Sequence, residues 1–346
     1  MQWPIRGSAS EVSDVPEPDG RFDPVFNDFE AETALPIGHG ETISVGDFMP
    51  AGPTGGESRA TGSTFRQMGR VFVENKLAVV SAGVIVFMIL FCFLGPHLYP
   101  TNQTDAQSAL QNSVQNAPPG NGNPLGTDES GFNIVGRLMF GGQVSLIVGL
   151  ASALVATIIG TLYGAISGFF GNWLDALLMR IVDVLLSIPV LFLLIALVTI
   201  YHSSETLLIL VIAFVSWLIP ARLIRGETLS LRSREYVQAV RVMGGSRGRI
   251  INRHIIPNAV GTIVVFATFQ VADSILLLAA LGYLGLGVPA PQTDWGTMLS
   301  NGVNAAGNGY WWQIYPVGVC IVLVVIAFNY VGDALRDSLD LRLQQR

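Results

Sequence analysis

Lysine is almost missing from this chain. Lys76 is the single lysine in 346 residues, and charged residues of all kinds make up 13%. A phosphate-cradling GxxxxGK[ST] loop needs a lysine behind a glycine-rich turn. Lys76 instead follows Asn75 in GRVFVENK, so the chain does not bind ATP through a P-loop. Cysteine is equally scarce: Cys92 and Cys320 both lie inside apolar runs, with no CxxC and no histidine-rich cluster. They read as packing residues, not as a disulfide or a metal site. No nucleophile, base and acid stand at matched spacing, which argues against an enzyme. The first twenty residues, MQWPIRGSASEVSDVPEPDG, lack the basic start and apolar core of a signal peptide.

What the chain has instead is apolar surface. Half of its residues are hydrophobic and its mean hydropathy is +0.50, which marks an integral membrane protein. The net charge of -6 is a local effect. Residues 1–64 hold eleven acids against three arginines, a balance of -8, so the remainder carries +2. That segment mixes Pro, Gly, Ser and acids with few aliphatic residues. It is expected to be a disordered, solvated cytosolic tail.

Residues 65–346 form the membrane domain. At roughly 20 apolar residues per span, the pattern predicts six transmembrane helices at about 77–95, 143–170, 184–201, 206–221, 258–284 and 311–331. No charge occurs between Arg137 and Asp175, and Ser152, Ala156, Gly160, Gly164 and Gly168 recur there every four residues. Such a smooth face lets a second helix approach closely. The third span contains Pro189, and a polar HSSE turn joins it to the fourth. Asp273 interrupts the fifth span, as either a pathway or gating residue or a hydrogen-bonded helix contact. Tyr310, Trp311, Trp312 and Tyr315 form an interfacial cluster before the sixth. The excess of arginine on one side places the loop 222–257 and both termini in the cytoplasm.

That loop is the most basic part of the chain, with eight arginines (222, 225, 232, 234, 241, 247, 249, 253) against Glu227 and Glu235. Leu231 to Met243 reads as a short amphipathic helix with Tyr236, Val237, Val240 and Met243 on or near one face. Gly244 and Gly245 break it. A second short helix, Arg247 to Ile256, is expected to end at Pro257. Apolar knobs ringed by arginines suit docking into a protein groove better than simple anchoring. A nucleic-acid-binding helix-turn-helix is disfavoured by the apolar spans on both sides.

These residues resemble the cytoplasmic E-A-A-x3-G-x9-I-x-L-P loop of bacterial ABC importer permeases. Gln238-Ala239-Val240, Gly244 and Ile256-Pro257 fall at its spacings, with Gln238, Val240, His254 and Ile256 at its Glu, second Ala, Ile and Leu positions. The resemblance is closer to the dipeptide/oligopeptide (peptide/nickel) branch, and to the member of its permease pair with the longer N-terminal region. It runs through EYVQAVRVMGGSRGRIINRHIIPN, PLGTDESGFNIVGRLMFGGQVSL, LGYLGLGVPAPQTDWGTML and FNYVGDALRDSLDLR in order. The chain departs from that branch at Phe132-Asn133, Gln143, Leu278 and Leu341.

The resemblance implies an all-α membrane protein of the type I ABC importer permease fold, without catalysis of its own. It implies a homologous second permease, two ABC ATPase subunits that carry ATP and Mg, and an extracytoplasmic peptide-binding protein, in a bacterial cytoplasmic membrane. It places ATPase coupling on Glu235, Tyr236, Val237, Ala239, Val240, Arg241, Met243, Gly244, Arg249, His254 and Pro257. Tyr236, Val237, Val240, Met243 and Gly244 are the expected buried contact. Glu235, Arg241, Arg249 and His254 are expected at its rim or bracing the hairpin. Gly160, Gly164 and Gly168 are the expected helix-packing residues and Asp273 a pathway candidate. An importer of nickel or another small solute, or an ion-coupled secondary transporter, remains the alternative.

Overall fold

The structure, a computed structural model, describes residues 72–103, 114–120 and 122–344. The acidic segment 1–64 lies outside the described residues. Among the described residues every regular element is helical, with only isolated bridges between extended residues.

Helix α1, Lys76–Phe93, starts at Asn75, whose side-chain oxygen accepts from the Leu77 and Ala78 amides at 3.1 and 3.3 Å. Helix α2, Ile134–Phe170, is capped in the same way by Asn133. Its 37 residues make it about 55 Å long. It begins nine residues ahead of the expected span at 143. Arg137 sits inside the first turns, where Asp128 takes its charge at 3.2 Å. Gly171, with φ +64°, ends the helix.

The expected third span is in fact two helices. These are α3, Asn172–Leu186, and α4, Val190–Tyr201, which meet at 81°. Pro189 at the start of α4 has no amide to donate and cannot continue α3. The fourth span also divides, into α5, Glu205–Ser216, and α6, Leu218–Arg232, bent by 42°. Pro220 in the first turn of α6 removes the amide that would have bonded back to Ser216. The basic loop therefore starts as a continuation of α6 rather than at residue 222.

The hairpin follows as α7, Glu235–Val242, and α8, Arg247–Ile250. Pro257 does not end a helix as expected. A π-turn over Ile251–Ile255 carries α8 into α9, Ile256–Tyr283, with the Ile256 amide bonding to the Ile251 carbonyl. The wider turn leaves Pro257 in the first turn of α9, where its missing amide has no partner to lose. The loop after α9 contains α10, Trp295–Ala306. Helix α11, Tyr315–Gln344, closes the described chain. Among the described residues four helices are long and apolar enough to cross a membrane, or up to six if each bent pair is one span.

Helices α2 and α6 pack backbone to backbone. A Cβ built on Gly164 would lie 2.3 Å from the Ala221 carbonyl oxygen. One on Gly160 would meet Trp217 O at 2.8 Å, and one on Gly168 would meet Arg225 O at 2.7 Å. The end of the molecule away from the hairpin is held by buried polar contacts. Asp294, fully buried, caps α10 by accepting from the Thr297 amide at 2.9 Å and its hydroxyl at 2.7 Å. It also accepts from Val288 N at 3.2 Å. Trp295 beside it donates to Leu138 O of α2 at 3.1 Å, in space left open by Gly142.

Gly164→Val should destabilise the chain by about 1–3 kcal/mol, because no rotamer moves a Cβ away from backbone. Gly226→Ala on the same α6 has nothing within 4 Å and should be neutral or stabilising by up to ~1 kcal/mol. Thermal unfolding of the two variants in detergent checks this, and equal midpoints would contradict the packing.

Candidate docking site on the basic hairpin

The eight arginines divide into two sets. Four hold the hairpin to the membrane helices. Arg225 of α6 makes a two-pronged pair with Asp175 of α3, Nε to Oδ1 at 2.6 Å and Nη2 to Oδ2 at 2.7 Å. Ser167 of α2 also donates to Asp175, so three helices meet at one carboxylate. Arg225 holds the Asp175 charge in place through both oxygens, the strongest geometry an ion pair has. Arg222 pairs with Asp183 on the surface. Arg232 donates to the Gly168 and Phe169 carbonyls at 2.8 and 3.4 Å, neutralising the C-terminal end of α2. Arg247 lies over the Phe170 ring at 5.3 Å.

The other four, Arg234, Arg241, Arg249 and Arg253, are exposed and form no ion pair among the described residues. At the tip of the hairpin α7 ends in a tight reversal. Met243 N bonds to Ala239 O, Gly244 N to Arg241 O and Gly245 N to Val240 O, all within 3.1 Å. Gly244 takes φ +82°, a conformation that costs other residues about 1 kcal/mol or more. Gly245 is required for a different reason, since a Cβ there would lie 2.7 Å from the Val240 side chain.

The apolar residues of α7 do not share a face as expected. Val237 is 2% exposed and packs with Ile250, Ile251 and Ile255 of the returning arm and with Ala165 and Ile224 of α2 and α6. Val240 is half-buried against the same cluster. Val237 is thus the hairpin's own support, not part of its outer surface. Tyr236, next to it, is 42% exposed. Met243 is 77% exposed and its neighbour Val242, which was not anticipated, 88%. Glu235, Ala239, Arg241, Gly244, Arg249 and Pro257 are exposed, and His254 is half-buried. Asp273 lies far along α9 and is not part of this site. Gly160, Gly164 and Gly168 meet the hairpin only through its root, α6.

Sequence reasoning missed Asp175, Asp183 and the bracing role of Arg222, Arg225 and Arg232. The available signal was that both acids lie just past the charge-free stretch, on the side expected for the arginines. Arg225→Gln leaves Asp175 with half its partners and should cost about 1.5–3 kcal/mol. Arg234→Gln, with no intramolecular partner, should change stability by less than ~0.5 kcal/mol. Paired thermal melts test the division, and an equal loss in both variants would contradict it.

The family profile for the binding-protein-dependent transport system inner membrane component matches residues 160–345. A second profile, the N-terminal TM domain of oligopeptide transport permease C, matches residues 63–119. The oligopeptide transport system permease protein OppC of Haemophilus influenzae is 39% identical over 279 residues, covering 80% of this chain and 88% of that one. OppC of Escherichia coli K12 is 40% identical, covering 80% and 91%. The dipeptide transport system permease protein DppC of Alkalihalophilus pseudofirmus is 38% identical, covering 82% and 91%. Among solved structures, the MetNI methionine ABC transporter in an inward-facing form superposes with a TM-score of 0.50 at 20% identity. That match covers 58% of this chain and 96% of the other, and it supports the fold. With the arrangement of helices and hairpin, these matches establish that the chain belongs to the binding-protein-dependent transport system inner membrane components, in their branch of peptide ABC permeases.

Proposed function

We propose that the chain is one of two permease subunits of an ATP-driven importer that moves di- or oligopeptides across a bacterial cytoplasmic membrane by alternating access. The hairpin 235–250 is the surface that seats on an ABC ATPase subunit. ATP and Mg belong to that subunit, and peptides arrive from an extracytoplasmic binding protein. The hairpin, and with it both chain termini, faces the cytoplasm.

The observation that carries this reading is the tip of the hairpin. Val242 and Met243 stand out from the chain with no intramolecular cover, among arginines that form no ion pair in the described residues. Apolar anchors within a charged rim are the composition of a protein interface. The tip is also joined rigidly to the membrane helices behind it. A push on α7 reaches α6 through Val237 and Ile224, and reaches α2 and α3 through Arg225, Asp175 and Arg232. Closure of the ATPases around the tip would therefore tilt α6 and α2 together. A peptide cargo is supported by the names of the relatives. The rival reading, an ion-coupled secondary transporter, draws on one observation, the acid Asp273 within a membrane helix.

Met243→Asp places a charge on the contact without touching the support cluster. Gly244→Asp adds charge and backbone strain at φ +82°. Both should leave the chain in the membrane and lower ATP-dependent peptide uptake by reconstituted complexes at least ~10-fold. Membrane abundance is measured alongside. Undiminished uptake by Met243→Asp would overturn the docking role, and uptake driven by an ion gradient without ATP would overturn the importer reading.

A further inference from the structure

Asp273 is the only charged residue between Arg253 and Asp294. It lies ten residues from the Tyr283 end of α9 and seventeen from its Ile256 end. Ten residues are about 15 Å of helix, which puts the carboxylate near the middle of a ~30 Å hydrocarbon layer. The side chain is exposed at the surface of the chain. Among the described residues it has no hydrogen bond and no ion pair.

The surface around it is specific. At 100° per residue, Phe269, Asp273, Leu276, Ala280 and Tyr283 fall within an arc of about 80°. The inner part of this stripe is covered, because Phe269 packs against Gly332 of α11. From Asp273 outward it is open, with Leu276 and Tyr283 both 44% exposed. Gly332 beside Phe269 and Gly261 beside Leu339 also set the antiparallel register of α9 and α11. In that register Asn329, the half-buried amide of α11, stands at about the depth of Asp273. Lipid tails can cover Leu276 and Tyr283. They cannot solvate a carboxylate, and residues of this kind within membranes face a water-filled cavity or protein.

We infer that the Asp273 stripe of α9 lines an aqueous translocation path, and that the Asp273 carboxylate receives the ammonium group of a passing peptide. The assignment of an ammonium ligand rests on the peptide reading above; the assignment of water to this face does not. A cationic group is the complement of an unpaired acid at this depth, and every unblocked peptide carries one at its N-terminus. A flexible, unbraced carboxylate suits a transient contact, since binding in a path must be weak enough to release.

The test uses the assembled complex in vesicles. Asp273→Cys should react with a charged, membrane-impermeant methanethiosulfonate, while the wild-type chain, with Cys92 buried and Cys320 half-buried, should not. Asp273→Asn should lower tri-alanine uptake ~10-fold or more, as expected for loss of a charge-assisted contact, and Asp273→Glu should restore most of it. No labelling of Asp273→Cys overturns the aqueous path, and loss of the partner permease on purification of Asp273→Asn would reassign the residue to a subunit contact. Wild-type uptake by Asp273→Asn overturns the ammonium role. If the wild-type complex takes up no peptide with ATP, the functional reading fails instead, and labelling still decides the path.

Discussion

The close approach of α2 and α6 is the constraint on which the rest of this structure depends. Three glycines on one face of α2 let the α6 backbone come to within a distance that no side chain would permit. In a membrane, where apolar burial gives little drive for helix association, such contact is a main source of packing energy. The seam is fastened at its hairpin end by Asp175, held by Arg225 and Ser167. It is fastened again where Arg232 caps the last carbonyls of α2. The bend at Ser187–Pro189 lies outside this seam, whereas the bend at Trp217 lies at its Gly160 end.

From that seam the hairpin projects as a short lever with a supported inner side and an uncovered outer side. Val237, Ile250, Ile251 and Ile255 supply the support. Val242, Met243 and four unpaired arginines supply the outer surface. The same residue type thus does two jobs, and only geometry separates them. An arginine that reaches a helix end or a carboxylate of its own chain braces the helices it joins. One that reaches neither is available to a partner. At the other end of the membrane domain Trp295 ties the last loop to α2 through Ser145 and Leu138.

The membrane helices were legible because uncharged runs of the right length admit few other structures. The basic hairpin was legible because glycine and arginine cluster there. What escaped was set by distant partners or by exceptions to local rules. Asp175 and Arg225 are fifty residues apart, and nothing in the spacing of either announces the other. Helix α2 begins ahead of the expected span, and Arg137 in its first turns is paired with Asp128 of the preceding loop. Pro189 was visible, but its consequence, an 81° bend, depends on what the two arms pack against. Pro257 looked like a stop because a proline ends an α-helix, and the π-turn before it removes the conflict. Val237 and Tyr236 are adjacent apolar residues on a short helix, and only the position of the returning arm decides which one is buried. The helix Trp295–Ala306 was hidden by glycine and asparagine, although Asp294 and Thr297 form its cap.

The central claim is that the outer side of the hairpin is covered by an ATP-hydrolysing subunit. Its most direct measurement is site-specific photocrosslinking in intact cells, with a benzophenone side chain at position 242 and mass-spectrometric identification of the adduct. The account predicts a single major adduct with a P-loop ATPase, and none from position 237, which faces inward. An adduct with lipid alone, with an unrelated protein, or equally from both positions would contradict it.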